Sequence, residues 1–364
     1  MKYPRFFAAL FITVFTSHLL HADNTILHFI YCSDLHYGIQ RDFRGKKTEA
    51  TEVNRELLKA FQLLPGSLLP QDNGVKAGEI YEKTQFIVCT GDIANRMQNK
   101  AHTASLSWQQ FEQDWLQHTE IPIYLVPGNH DISNAIGHPK GLIPNRDATS
   151  AAQIFNYTMH PSVPRTARTF NYQTDKVHYS FTTDSLRFVF LGMWPDHIMR
   201  QWMDSLFVQD SITPTLIFTH DPTEAEAKHF TNPHPAYDIN ATDKFENLLA
   251  DTCSARSVKE KPLSNWRILE SYFHKHPQIK AYFHGDYNYN EFYDWYGTDS
   301  TICLPVFRVD SPMKGQISSK DESRLSFIVV SIDLSQRKLT ARECLWNKNR
   351  TTSISWGKSR TIYY

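Results

Sequence analysis

The chain has 364 residues, 41% of them hydrophobic and 13% aromatic, which is enough apolar material for one large core or two modest ones. Lysine plus arginine equals aspartate plus glutamate at 38 each. That balance builds in no general attraction to a nucleic-acid polymer or an anionic membrane, so recognition of a charged group has to be local.

In chain order, the first element is a leader. Lys2 and Arg5 form a positive start, Phe6 to Phe15 an apolar run, and Ala22 a small residue for cleavage, which together read as an export signal over residues 1–22. A membrane anchor fits less well, because Phe6 to Leu20 is interrupted by Thr13, Thr16, Ser17 and His18 and falls short of the roughly 20 apolar residues of a span. No later segment is apolar enough to cross a bilayer. The expectation is a soluble protein over residues 23–364, exported to a periplasm or secreted.

Short, almost continuous apolar runs follow at Ile26 to Cys32, Phe86 to Cys89, Ile121 to Val126, Phe188 to Leu191 and Leu216 to Phe218. Such runs suit strands buried on both faces. Between the first of them, Glu52 to Leu64 and Ser105 to His118 carry apolar residues at helical spacing, the alternation of strand-helix-strand units. From about residue 170 the pattern turns to hairpins: Val177 to Thr183, a turn at Asp184 and Ser185, then Leu186 to Leu191. Lys280 to His284, Cys303 to Val309, Leu325 to Leu334 and Lys338 to Trp346 add further strands. No repeat or linker divides this stretch, so residues 23–364 read as one domain with a β-rich C-terminal extension: two sheets with helices outside.

Five cysteines leave at least one thiol unpaired or joined to another chain. Cys32 and Cys89 fall inside apolar runs and read as buried free thiols. Cys253 and Cys303 are the better disulfide candidates.

The polar residues that carry chemistry sit where the apolar runs stop. The first run ends in Ser33-Asp34-Leu35-His36, the second in Thr90-Gly91-Asp92-Ile93-Ala94-Asn95, the third in Pro127-Gly128-Asn129-His130-Asp131. In open parallel sheets ligands bind beyond the carboxyl ends of the strands, so these three segments can converge on one crevice. An Asp-x-His pair offers an oxygen and a nitrogen from one turn, a second carboxylate can bridge two cations, and an asparagine adds a neutral oxygen. Mixed oxygen and imidazole donors suit manganese, iron or zinc better than calcium.

These blocks resemble the ordered signature of the calcineurin-like metallophosphoesterase superfamily: Asp-x-His, Gly-Asp-x-x-Asn, Gly-Asn-His-Asp or Glu, a lone His, then Gly-His-x-His. The first three are present in full and His220, after Thr215 to Thr219, supplies the fourth, over roughly residues 26 to 332. The resemblance implies an α/β fold, a four-layer α-β-β-α sandwich of two mixed β-sheets flanked by helices. It implies two divalent or trivalent metal ions, with Asp34 and His36 on the first, Asp92 as the bridge, and Asn129 and His220 on the second. His130 would stand beside the substrate, to stabilise the transition state or protonate the leaving oxygen, with Asp131 orienting its ring. The nucleophile would be a metal-activated hydroxide.

The fifth block departs from the pattern. Its best match is His284-Gly285-Asp286-Tyr287-Asn288, with Asp286 in place of a ligand to the second metal and Asn288 in place of a ligand to the first. If both coordinate, the site is oxygen-rich and favours manganese or magnesium. Otherwise one cation is held weakly, or the protein binds phosphorylated ligands without turnover. His284 reads as a neighbour at a strand end rather than a replacement ligand. Tyr289 to Tyr296 reads as a half-buried aromatic hairpin, or alternatively as a substrate wall with Asn290 and Glu291 facing the alcohol. Arg308, Asp310 and Lys314 read as surface salt-pair residues before substrate contacts. His138, His160, His178, His197, His229, His234 and His276 show no ligand spacing and read as surface or structural. The expected substrate is a small phosphomonoester or phosphodiester rather than a nucleic-acid polymer.

Overall fold

The computed structural model describes residues 25–95, 102–137, 146–183, 185–232, 244–257 and 259–364. The expected leader at residues 1–22, the turn residue Asp184, and His138 and His234 lie outside them.

The chain enters at β1 (Ile26–Cys32), turns through a short hairpin of β2 (Gln40–Phe43) and β3 (Lys46–Glu49), and continues into α1 (Ala50–Gln62) and β4 (Phe86–Cys89). Next come α2 (Ala104–Phe111), a π-helical turn at Glu112–Leu116, β5 (Ile123–Leu125), α3 (Asn129–Ile136) and α4 (Thr149–Met159). A hairpin of β6 (His178–Thr182) and β7 (Arg187–Leu191) leads to α5 (His197–Gln209) and β8 (Thr215–Phe218). The pair β9 (Phe230–Thr231) and β10 (Leu249–Thr252) precedes α6 (Leu263–Lys275), β11 (Ile279–His284), β12 (Glu291–Trp295) and β13 (Leu304–Arg308). Last are β14 (Ser326–Asp333), β15 (Lys338–Leu345) and β16 (Ser355–Tyr363).

Two six-stranded sheets result. The first runs β16-β15-β14-β1-β4-β5, with β1, β4 and β5 parallel and β14 antiparallel to β1. The second runs β12-β13-β11-β8-β7-β6, parallel in its four central strands and antiparallel at both edges. Both are mixed. The core between them is aromatic: Phe29 of β1 meets Phe188 of β7, Phe218 of β8 and Phe283 of β11 at centroid distances of 6.1, 5.8 and 6.2 Å.

Helices cover the outer faces. In α1 the residues Val53, Leu57, Ala60 and Phe61 recur at helical spacing and are buried, and Phe61 meets Phe327 of β14 edge-on at 4.7 Å. On the far side Phe273 of α6 lies 6.2 Å from Tyr282 of β11. Helix, sheet, sheet, helix is the four-layer sandwich the sequence implied.

Some elements escaped the sequence reading for physical reasons. β16 is an edge strand with most of its residues partly or fully exposed, so it has no apolar run to betray it. α6 interleaves its buried Trp266, Leu269 and Phe273 with charged and polar residues. The expected bridge between Cys253 and Cys303 is not formed: Cys253 is buried and Cys303 exposed, and both are free. Cys32 and Cys89 are buried free thiols, as read from their apolar surroundings.

Candidate metal centre

Because β1, β4 and β5 are parallel neighbours, the loops that follow them leave from one edge of the first sheet, and those after β8 and β11 leave from the second. The first two loops are stitched together. The amides of Asp34, His36 and Tyr37 donate to the carbonyls of Gly91, Asp92 and Ile93 at 3.0, 2.8 and 2.9 Å. Asp34, His36, Asp92, Asp286 and Asn288 all adopt positive φ, between 44° and 62°. Non-glycine residues held in that left-handed region carry strain of roughly 1–3 kcal/mol each, which a fold tolerates where side chains must be aimed. Two glycines are demanded by close approach: a Cβ at Gly128 would overlap the Asp92 carboxylate, and one at Gly285 would overlap Ser33 and Asp34.

The aimed side chains form two adjoining groups of donor atoms. His36 Nε2 lies 3.6 Å from Asp34 Oδ1 and 3.7 Å from Asp92 Oδ2. His220 Nε2 lies 3.6 Å from Asp92 Oδ1 and 3.8 Å from Asp286 Oδ1. Asp92 thus turns one oxygen to each group. Asn129 Nδ2 donates to Asp286 Oδ1 at 3.4 Å, and His130 Nε2 stands 3.7 Å from Asp92 Oδ2.

Whether cations fit can be judged from what these atoms otherwise do. Asp34 Oδ1, His36 Nε2, Asn129 Oδ1, His220 Nε2 and Asn288 Oδ1 are buried and have no hydrogen-bond partner among the described residues. Buried polar atoms left without partners are costly unless something binds them. Ligand atoms about 2.1 Å from a common ion lie roughly 3–3.5 Å from one another, slightly closer than the separations seen here. Of His220, only Nε2 is available, because Nδ1 donates to the Thr90 carbonyl at 2.7 Å. The residues fit bound metal, with Asp92 lying between the two groups of donor atoms.

The calcineurin-like phosphoesterase family pattern matches residues 27–303, well over half of the chain. The protein belongs to the calcineurin-like phosphoesterases. No curated protein matches it. Among solved structures, Vps29 of Chaetomium thermophilum covers 93% of this chain and 95% of its own, with 10% sequence identity and a TM-score of 0.34. A likeness that slight carries no weight beside the family match.

In this calcineurin-like phosphoesterase the electrostatics of the pocket follow from burial and crowding. Burial, reinforced by the Lys314 charge, pushes His36 down to about 3, so its imidazole is neutral with a lone pair to offer. Burial works against a charge on His220 too, but Asp92, Asp34 and Asp286 together overcome it and raise the group to about 10. Asp286 is pushed up to about 7 by burial and by the neighbouring Asp221 carboxylate. Four aspartates, Asp34, Asp92, Asp221 and Asp286, surround His220 and favour positive charge in this pocket.

The remaining expected residues are placed as follows. Asp131 is buried, and its carboxylate accepts the amides of Ile93, Ala94 and Gly128 at 3.2, 3.0 and 3.1 Å, which ties the third loop to the second. Asn288 sits between loops: its side-chain amide donates to the Asp286 backbone carbonyl, and its backbone carbonyl accepts the Gln316 amide at 2.7 Å. His284 is a strand-end neighbour, with Nδ1 at 3.0 Å from the Gly285 carbonyl and Nε2 at 3.0 Å from the Tyr293 hydroxyl. The aromatic segment around Tyr293 forms the β12–β13 hairpin and is half-buried. Glu291 is engaged there by Arg308, while both side-chain polar atoms of Asn290 are buried without a partner among the described residues.

Three residues read as surface salt pairs are not on the surface. Arg308 is only 3% exposed and lies 3.5 Å above the Tyr289 ring. Asp310 is likewise buried and pushed up to about 8, chiefly by burial. Lys314 is half-buried and its Nζ donates to His130 Nε2 at 3.0 Å. The loop that carries it is docked on the centre: Ser311 Oγ donates to the Asp34 carbonyl at 2.7 Å and accepts the Lys314 amide at 2.9 Å. A single lysine in a polar loop gives no sequence signal of this. A second residue passed over was Asp221, whose only signal is that it follows His220 directly.

Proposed function

We propose that the protein hydrolyses a small phosphomonoester or phosphodiester at a two-cation centre, with Asp34 and His36 on one cation, Asn129, His220 and Asp286 on the other, and Asp92 shared; Asn288 completes the first. The observation that carries this reading is that the two oxygens of Asp92 face two separate groups of buried, otherwise unpartnered donor atoms. Bound cations at such a centre activate water near neutral pH and stabilise charge on phosphoryl oxygens. Oxygen at both fifth-block positions favours manganese among the candidates.

The chain's own residues supply binding and proton chemistry. Lys314 holds a positive charge at the rim, where a phosphoryl oxygen of the substrate can take the ammonium from His130. His130 Nε2 faces the same space; once the ammonium has turned to the phosphoryl oxygen, this nitrogen can take a proton from solvent and pass it to the leaving oxygen, while the His130 backbone amide is fixed by Asp92 Oδ1 at 2.8 Å. Asp131 keeps the His130 loop registered on the Asp92 loop through its three accepted amides.

A second reading, a silent binder of phosphorylated ligands, is favoured by one feature, the loss of both fifth-block histidines. Release of nitrophenol from the mono- and bis-nitrophenyl phosphates separates the two, measured after the chelated protein is loaded with manganese, iron or zinc. Turnover that falls by at least about a hundredfold in Asp92→Asn and His130→Ala is the expected result. If no metal raises the wild type above those variants, while phosphate still binds, the silent reading replaces this one.

A further inference from the structure

The second half of the centre has lost a histidine. An aspartate at position 286 reaches less far than an imidazole, since its oxygens lie two bonds beyond Cβ and Nε2 lies three. A shorter side chain at that position would leave room beside it for a further donor.

Asp221 borders that room. It is fully buried, at 0% exposure, and one of its ligand atoms lies within 4.8 Å of those of His220 and Asp286. Its Oδ2 is 2.9 Å from His229 Nδ1, whereas Oδ1 has no partner among the described residues. An ion pair with His229 accounts for one oxygen and leaves the other stranded at full desolvation cost. The carboxylates of Asp221, buried, and Asp286, partly buried, also come within 4.8 Å of each other, where like charges repel. A cation between them satisfies the stranded oxygen and cancels the repulsion.

We infer that Asp221 Oδ1 is a ligand of the second cation and that His229, holding Oδ2, is its positioning residue. This rests on the two-cation reading above and extends it. The second site then presents oxygens from Asp92, Asn129, Asp221 and Asp286 and one nitrogen, from His220. A donor set of that hardness selects manganese or magnesium over zinc. His229 acts on the carboxylate as outer partners commonly act on metal ligands, where their loss costs 10–100-fold in affinity.

The test is titration calorimetry of manganese into chelated wild type, Asp221→Asn and His229→Gln, with unfolding midpoints taken with and without manganese. Wild type is expected to take up two equivalents. Asp221→Asn should keep the first at unchanged affinity and weaken the second at least tenfold, and His229→Gln should weaken the second by a smaller factor. The rise in midpoint that manganese confers should shrink in both variants, because a ligand stabilises only by what it binds. Two wild-type affinities in Asp221→Asn, or a midpoint lowered equally with and without manganese, would make Asp221 a mere partner of His229 and overturn the inference. Fewer than two equivalents in the wild type itself would instead remove the two-cation reading, and this inference with it.

Discussion

Lys314 shows how one side chain changes what the centre can do. Among the described residues its ammonium is the charged donor seen on His130 Nε2, at 3.0 Å, and its loop is pinned by Ser311 to the carbonyl of Asp34. A cation there complements a phosphoryl oxygen, and hydrogen bonds to charged groups contribute about 1.5–3 kcal/mol. Lys314→Gln is therefore expected to lower kcat/KM for nitrophenyl phosphate by roughly 10–100-fold, mostly through KM, with metal content unchanged. Steady-state kinetics beside elemental analysis checks this, and an unaltered KM would take Lys314 out of the substrate's path. Arg308 and Asp310 differ in kind: both are buried, so their charges are matters of packing before they are matters of substrate.

At the scale of elements, the centre depends on loops being locked to one another more than on any helix or strand alone. Three amides from two loops converge on Asp131, and a carboxylate accepting several backbone amides is a strong anchor because each bond is charge-assisted. Asp131→Ala removes the two oxygens that accept these three bonds and leaves the amides of Ile93, Ala94 and Gly128 without that partner. The expected cost is about 3 kcal/mol or more of stability in chemical denaturation, accompanied by weaker metal binding, since Asp92 and Asn129 lose their common registration. A loss of stability under about 1 kcal/mol would mean that the loops are held by their other contacts.

Across the whole molecule, the two sheets are joined by an aromatic layer whose middle is Phe29. Its ring lies 4.9 Å from Phe86 in its own sheet and within 6.2 Å of Phe188, Phe218 and Phe283 in the other. Phe29→Ala should cost about 3–5 kcal/mol, as large-to-small changes in a packed core do. Because the proposed ligands come from both sheets, the same variant should also weaken metal binding without touching any of them, which calorimetry would detect; unchanged metal affinity would show that the loops keep their geometry independently of the core beneath them.

The sequence by itself determined the strands that carry the site and the residues at their ends. Runs such as Ile26 to Cys32 and Phe86 to Cys89 are apolar throughout because both faces are buried, and the polar block after each is abrupt enough to read without coordinates. Asp34, His36, Asp92, Asn129, His220 and Asp286 come together as their order implied. Tertiary structure alone decided that Lys314 reaches His130 across 184 positions of chain, that Arg308 and Asp310 are buried, that Cys253 and Cys303 stay apart, and that Asp221 has one oxygen taken by His229 and one free of protein partners among the described residues. Local pattern records which face of an element is buried. Which distant loop lies over that face depends on how two sheets pack, and no short stretch of residues encodes it.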